Sequence, residues 1–200
     1  MIHDHFQEAA RDYEQDEKRV RNVKNIAQAI LNEIDFEPVR HIVDFGAGTG
    51  LLLGQIASHV DKITAIDVSP AMIQELKAKA DALPCELEIL TLDLTTASTD
   101  RKFDGVISSM TMHHIEDIPS ILRTFYDILD DGGFIALADL DLEDGTFHSN
   151  DTGVFHLGFN RDQFLNDARN AGFKDLLIQS VSVSQKPQGD YPIFLLTGLK

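Results

Sequence analysis

From Ile42 onward, short runs dominated by Val, Ile, Leu and Phe alternate with segments whose apolar residues recur at helical spacing. That alternation predicts an α/β domain built on a largely parallel sheet. Strands are predicted over 41–45, 62–67, 87–92, 103–109 and 134–139, and their almost unbroken apolarity suits strands covered on both faces. Ser69-Pro70 supplies an N-cap and a proline at the first helical position ahead of Met72, Ile73, Leu76, Ala80 and Leu83, which share one helix face. Ile118, Ile121, Leu122, Phe125, Ile128 and Leu129 repeat the i, i+3, i+4, i+7 pattern, and Asp131-Gly132-Gly133 then turns the chain into the next strand. Asn160 and Gln163 form a capping-box pattern that opens a last helix through Phe164, Leu165 and Ala168 to a stop at Gly172.

Two stretches fall outside the alternation, and a terminal pair of apolar runs follows it. Residues 2–34 are helical in pattern and highly charged, and a break in apolar periodicity around 14–19 predicts two helices packed across the domain. Residues 140–159 set Gly145, Gly153 and Gly158 among Phe147, His148, Phe155, His156 and Phe159, and a loop of that length in a compact domain is usually functional. The runs 176–183 and 193–199 flank Lys186-Pro187-Gln188-Gly189 and predict a terminal hairpin.

The 200 residues amount to a single domain, 1–200, of 43% apolar composition. Thirty-three acids against 17 bases leave a net charge of −16, which disfavours a nucleic-acid partner. The lone cysteine, Cys85, allows no intramolecular disulfide, the N-terminus is charged, and no apolar run approaches the ~18–20 residues of a membrane span. These features predict a cytoplasmic protein with no membrane partner, and they leave monomer and homodimer both open. Between Arg123 and Arg161 stand eight acids and no base, which predicts an electronegative crevice mouth and a neutral or cationic substrate.

The strongest local signal is Val43-Asp44-Phe45-Gly46-Ala47-Gly48-Thr49-Gly50, between a predicted strand and a predicted helix over 51–60. Glycines there permit positive φ and let a ligand approach the backbone beside the partial positive charge of a helix N-terminus. A dinucleotide fingerprint starting at Gly46 requires glycine or alanine at 51, where the chain has Leu51, and no Gly-Lys-Ser/Thr of a P-loop follows.

The pattern D-x-G-x-G-x-G resembles motif I of the class I S-adenosylmethionine-dependent methyltransferases, here of the small-molecule type. Asp67, in Ala65-Ile66-Asp67-Val68-Ser69, matches the family's acid for the two ribose hydroxyls. Asp93, in Leu92-Asp93-Leu94, matches the acid that accepts from the adenine amino group. Phe103-Asp104-Gly105-Val106-Ile107-Ser108-Ser109 resembles the family's fourth strand, and Leu129-Asp130-Asp131-Gly132-Gly133-Phe134 the motif before the fifth. The resemblance implies a Rossmann-like, doubly wound, seven-stranded, mostly parallel sheet with its last strand antiparallel and helices on both faces. It implies S-adenosylmethionine as cofactor and S-adenosylhomocysteine as product, with Asp44, Gly46, Ala47, Gly48, Gly50, Asp67, Val68, Met72, Asp93, Leu94 and Ser109 as cofactor-binding residues. It further implies a helical cap over 1–36, a cofactor-binding core over 39–139, a lid over 140–159, and a C-terminal helix and hairpin over 160–200.

Methyl transfer from a sulfonium needs alignment and exclusion of water, and some oxygen or nitrogen nucleophiles also require a base. His113 and His114, following the fourth predicted strand where strand order reverses, are the candidates for base or substrate contact. Phe147, His148, Phe155 and His156 are expected in the lid, and Tyr13 resembles an N-terminal tyrosine that closes over the cofactor in small family members. No metal is expected: the run from Asp139 to Gly145 fails the calcium-loop spacing, with glycine one position late and Asn150 where the glutamate belongs. Pro84-Cys85 precedes the third predicted strand, unlike the Pro-Cys nucleophile of cytosine methyltransferases, and reads as structural. The resulting expectation is an enzyme that methylates a small-molecule acceptor. The alternatives are a non-catalytic S-adenosylmethionine-binding module or an NAD(P)-binding oxidoreductase.

Overall fold

A computed structural model describes residues 7, 10–37, 39–148 and 153–200. The strands are β1 (His41–Phe45), β2 (Lys62–Ile66), β3 (Glu86–Leu90), β4 (Phe103–Ser109), β5 (Leu129–Leu140), β6 (Lys174–Lys186) and β7 (Gly189–Leu199). The α-helices are α1 (Glu17–Glu33), α2 (Leu51–Ile56), α3 (Pro70–Lys77), α4 (Ile118–Ile128) and α5 (Arg161–Ala171). The seven strands form one sheet in the order β3-β2-β1-β4-β5-β7-β6. All neighbours are parallel except β7, which runs antiparallel to both β5 and β6.

Each central strand feeds two separate cores because successive side chains leave opposite faces of a sheet. In β5, Phe134, Ala136, Ala138 and Leu140 pack with α1 and α2, while Ile135 and Leu137 pack with α4 and α5. The first face is closed by Val23, Ile26, Ala27 and Ile30 of α1 and Leu52, Leu53 and Ile56 of α2. The second is closed by Ile121, Leu122 and Phe125 of α4 and Phe164 and Ala168 of α5. The chain departs from β1 through β2 to β3 on one side and resumes at β4 on the other, so a crevice opens beyond the carboxyl ends of β1 and β4.

Several local expectations change. The break in periodicity at 14–19 is the start of α1, where Asp16 accepts from the N–H groups of Lys18 and Arg19. Ahead of it, among the described residues, lies a short 3₁₀ turn, Ala10–Asp12, and residues 1–6 and 8–9 of the expected first helix lie outside the described residues. The helix expected over 51–60 tightens into a 3₁₀ turn at Ala57–His59, and that expected to reach Leu83 ends at Lys77 with a further 3₁₀ turn at Ala80–Ala82. The helix from Ile118 ends at Ile128, and a register shift on β4 between Phe103 and Gly105 takes up the Asp130–Gly133 turn.

Segment 140–159 is tied down at its described ends. Leu142 and Phe159 donate their N–H groups to the carbonyls of Phe159 and Leu140, and Glu143 N–H to that of Leu157. One oxygen of Glu143 collects the N–H groups of Gly145, Thr146 and Phe147. Residues 149–152 of this segment lie outside the described residues. Among the described residues, no helix is long and apolar enough to cross a membrane.

Candidate functional site

The glycine loop leaves β1 and is fastened to the end of β2 by Gly46 and Ala47 N–H groups on the Ile66 carbonyl, at 2.8 and 3.1 Å. Gly46, Gly48 and Gly50 have φ of +71°, +55° and +88°. At Gly46 the need for glycine is doubled, since a Cβ would lie 2.2 Å from the Thr111 side chain. Asp67, just beyond β2, accepts from Gly48 N–H at 2.7 Å and from Ser69 N–H at 2.8 Å, so its carboxylate bridges the loop and the start of α3. Asp93 accepts from both the N–H and the hydroxyl of Thr95, which orients it at the end of the segment after β3.

A cavity of about 870 Å³ lies over these residues. It gathers Asp44, Gly46, Ala47, Gly48, Asp67, Val68, Met72, Asp93 and Ser109 with His113, His114, Tyr13, Phe147, His148 and Phe155. Gly50 and Leu94 of the expected set do not face it: Gly50 caps α2 and Leu94 is buried in the core under α4. His156 also turns away, its ring against Phe159 and its Nε2 near the Ile115 carbonyl at 2.9 Å. Cys85 packs against the α1–α2 core and does not line the cavity.

Three buried polar atoms of the wall, Asp44 Oδ2, Thr49 Oγ1 and Ser109 Oγ, have no hydrogen-bond partner among the described residues. Buried polar groups are rarely left so, and polar groups of a ligand are the natural complement. Burial, reinforced by the nearby Asp67 charge, pushes the Asp44 carboxyl up to about 8. Met110, just after β4, holds φ of +57°, a conformation that costs a non-glycine residue roughly 1–2 kcal/mol and is found where function constrains the backbone.

At the other end of the cavity, Asp139 and His113 form a buried pair. His113 Nδ1 lies 2.7 Å from Asp139 Oδ1, and the same carboxylate accepts the N–H groups of His113 and Leu140. Nδ1 therefore carries the proton and Nε2 is the basic nitrogen. His114 and His148 stand beside it, with ring centroids 4.3 and 5.2 Å from that of His113. The His113 carbonyl accepts from the N–H groups of Phe155 and His156, which ties the second half of segment 140–159 to the histidine turn. Among the described residues, no three His, Cys, Asp or Glu side chains are grouped to hold a metal ion.

Residues 42–133 match the methyltransferase domain family. The family match, the relatives and the structural neighbours together support a class I S-adenosylmethionine-dependent methyltransferase. The chain is 30% identical over 151 residues to an uncharacterised methyltransferase of Schizosaccharomyces pombe, covering 67% of this chain and 53% of that protein. The chain spans about half or less of the length of the curated relatives it matches. Its structure resembles the chain complexed with the Haloferax volcanii methyltransferase activator Trm112, with TM-score 0.77, 20% identity, and 100% and 99% of the two chains covered. It also resembles the N-methyltransferase NodS of Bradyrhizobium japonicum in complex with S-adenosylhomocysteine, with TM-score 0.74, 15% identity and 99% of each chain covered.

In this methyltransferase domain the sequence reading missed Asp139, Met110, Arg19, Asn22 and Lys186, all but Asp139 lining the cavity. Asp139 had a visible signal, a lone acid in the apolar run from Phe134 to Leu140. Arg19 and Lys186 had none, because segments far apart in sequence bring them together. None of the described acids between Arg123 and Arg161, expected to make an electronegative mouth, lines the cavity. Asp127 lies near the end of α4 and Asp130 and Asp131 at the amino end of β5, Asp141 is bidentate to Arg161 at 2.6 Å, and Asp139, Glu143 and Asp144 accept local hydrogen bonds. Asp151 lies outside the described residues.

Proposed function

We propose that this chain transfers a methyl group from S-adenosylmethionine to a small-molecule acceptor, with His113 as the general base. The observation that carries the reading is the buried His113–Asp139 pair, whose histidine lines the same cavity as the glycine loop and Asp67. When bound, the cofactor supplies an electrophilic methyl group on a sulfonium. Asp67 would hold the ribose hydroxyls, since backbone N–H groups of the glycine loop and of the start of α3 fix its carboxylate on the cavity wall, and a carboxylate only accepts. Asp93, with Leu92 and Val68 on the cavity wall, would hold the adenine, and Asp44 and Ser109 the methionyl amino group.

Tyr13 covers this end, stacked 4.0 Å from the Arg19 guanidinium, and its phenol is pushed up by burial, with Arg19 opposing. His113 would take the acceptor's proton at Nε2, while Asp139 keeps the ring in one orientation and stabilises the imidazolium that forms. In this reading 1–36 caps a single-domain enzyme of 1–200, 39–139 holds the cofactor, 140–159 shields the acceptor, and 160–200 completes the sheet. The single cysteine supports a reducing, cytoplasmic setting.

Calorimetric titration with S-adenosylhomocysteine, with NAD in parallel, tests the cofactor. Micromolar S-adenosylhomocysteine binding and silent NAD support the reading, and the reverse points to a redox protein. Methyl transfer to any metabolite fraction then separates an enzyme from a binding module.

A further inference from the structure

The half of the cavity beyond His113 is roofed by the start of α1, the His148 turn and the end of β6, and these three elements carry a surplus of basic groups. Lys186, at the end of β6, sits with Nζ 3.5 Å from the centroid of the Phe147 ring and donates to the Phe147 carbonyl at 2.5 Å. Arg19, on the first turn of α1, lies over the Tyr13 ring and donates to the Tyr13 carbonyl at 2.6 Å. Both cations are thus placed by aromatic faces and carbonyls, neither of which carries a full negative charge. Among the described residues Lys186 makes no ion pair, and the acid paired with Arg19, Asp16, is 3.9 Å away and half exposed.

Several acids face this region, and most of them accept hydrogen bonds from nearby N–H groups. Asp16 accepts the first N–H groups of α1, Asp139 holds His113, and Glu143 gathers three N–H groups of its own turn. Glu116 and Asp117 line the far wall beside His114, and Asp117 caps α4 through Ser120 N–H. His148 stands between the cations and the catalytic end, its ring 5.2 Å from that of His113 and 4.7 Å from that of Phe147.

The basic groups oppose one another. The His148 imidazole is pushed down to about 4, first by burial and then by His113, His114 and Lys186, with Asp139 opposing. The Lys186 ammonium is pushed down by burial and by Arg19, with Asp16 and Glu143 opposing. Positive charge gathered in a partly dry pocket is relieved by an anion that meets several donors at once.

The geometry points to an anion subsite: the acceptor carries a phosphate or carboxylate group that seats among Lys186, Arg19 and His148 and directs its nucleophile to His113. This rests on the methyltransferase reading, since it assigns the class of acceptor for the same cavity. It replaces the neutral or cationic substrate expected from the distribution of acids in the sequence.

The test is titration of the full chain with inorganic phosphate and, separately, with acetate. Ionic strength is held with sodium chloride, and S-adenosylhomocysteine is absent or saturating. The imidazole proton resonances of His148, assigned by their loss in His148→Gln, are the readout. Saturable phosphate binding that moves the His148 titration up toward the ordinary imidazole range is expected, weakened about tenfold or more in Lys186→Met and Lys186→Gln.

The glutamine variant keeps a donor for the Phe147 carbonyl, so its loss of binding reports charge and not a displaced ring. Saturation by phosphate alone assigns a dianionic group to the acceptor, and equal saturation by acetate assigns a carboxylate. Resonances that stay flat with both anions, or respond equally in Lys186→Gln, overturn the subsite. S-adenosylhomocysteine binding measured on the same samples separates that failure from failure of the cofactor reading.

Discussion

His113 and Asp139 are both excluded from solvent, 1% and 0% exposed, and joined by a 2.7 Å hydrogen bond between Nδ1 and Oδ1. One sits in the 3₁₀ turn after β4 and the other ends β5, so the parallel pairing of these two strands sets the bond. A second hydrogen bond, from the His113 N–H to the same carboxylate, fixes the turn as well as the ring. The relationship selects His113 over His114, whose Nδ1 faces the Gly153 carbonyl at 3.2 Å.

Replacing His113 by Asn is expected to lower kcat by about 10²–10⁴, the usual contribution of a positioned base. Asp139→Asn, which keeps an acceptor but removes the charge, is expected to lower kcat with little change in the dissociation constant for S-adenosylhomocysteine. Single-turnover methylation together with calorimetry checks this, and a His113→Asn variant with unchanged kcat excludes the base role.

Asp67→Ala is expected to weaken S-adenosylhomocysteine binding by about 1.5–3 kcal/mol, the worth of hydrogen bonds to a charged group. The circular dichroism spectrum should stay that of the parent, since the side chain bridges a loop and a helix start and does not pack in either core. Unaltered affinity would falsify the placement of the ribose site.

Asp44 predicts a pH dependence of known sign. Its folded pKa of about 8 lies above the ordinary 3.8, so the folded chain retains a proton that the unfolded chain releases between these values. Its contribution to stability is present below about pH 4, declines as pH rises toward about 8, and is level above that. Denaturant unfolding from pH 4 to 9 should show this decline in the parent and lose it in Asp44→Asn. If the amino group of the cofactor sits beside Asp44, binding at pH 7 releases a proton, detectable as a dependence of binding heat on the buffer's ionisation enthalpy.

Gly46→Ala should destabilise the fold and weaken cofactor binding, because the new Cβ meets Thr111 at 2.2 Å and φ is +71°. Adding Thr111→Ala is expected to recover only part of the loss. The left-handed backbone still costs a residue with Cβ about 1–2 kcal/mol after the clash is removed. Thermal melts of the single and double variants check this, and full rescue would show that sterics alone dictate the glycine.

By itself the sequence determined the fold class, the strand-to-helix position of the glycine loop and the acids Asp67 and Asp93. These are written in short-range pattern: alternation of apolar runs, caps such as Ser69 and Asn160, and glycines where φ is positive. The start of α1 was misread as a gap between helices because an Asp16 cap and a break in periodicity look alike in one dimension. Local pattern also could not show that Gly50, Leu94 and His156 face away from the cavity, since neighbouring positions in a loop have no fixed period.

Only the tertiary structure decided the chemistry of the acceptor end. Asp139 reaches His113 across 26 positions, and Lys186 reaches the Phe147 carbonyl across 39. The described acids between Arg123 and Arg161, which in sequence suggested a negative mouth, are divided between the end of α4, the amino end of β5, and local hydrogen bonds or an ion pair. The physical reason is range. Secondary structure follows from steric and hydrogen-bond preferences within a few residues, whereas charge and proton position in a cavity depend on which distant groups the packed sheet brings within a few ångströms.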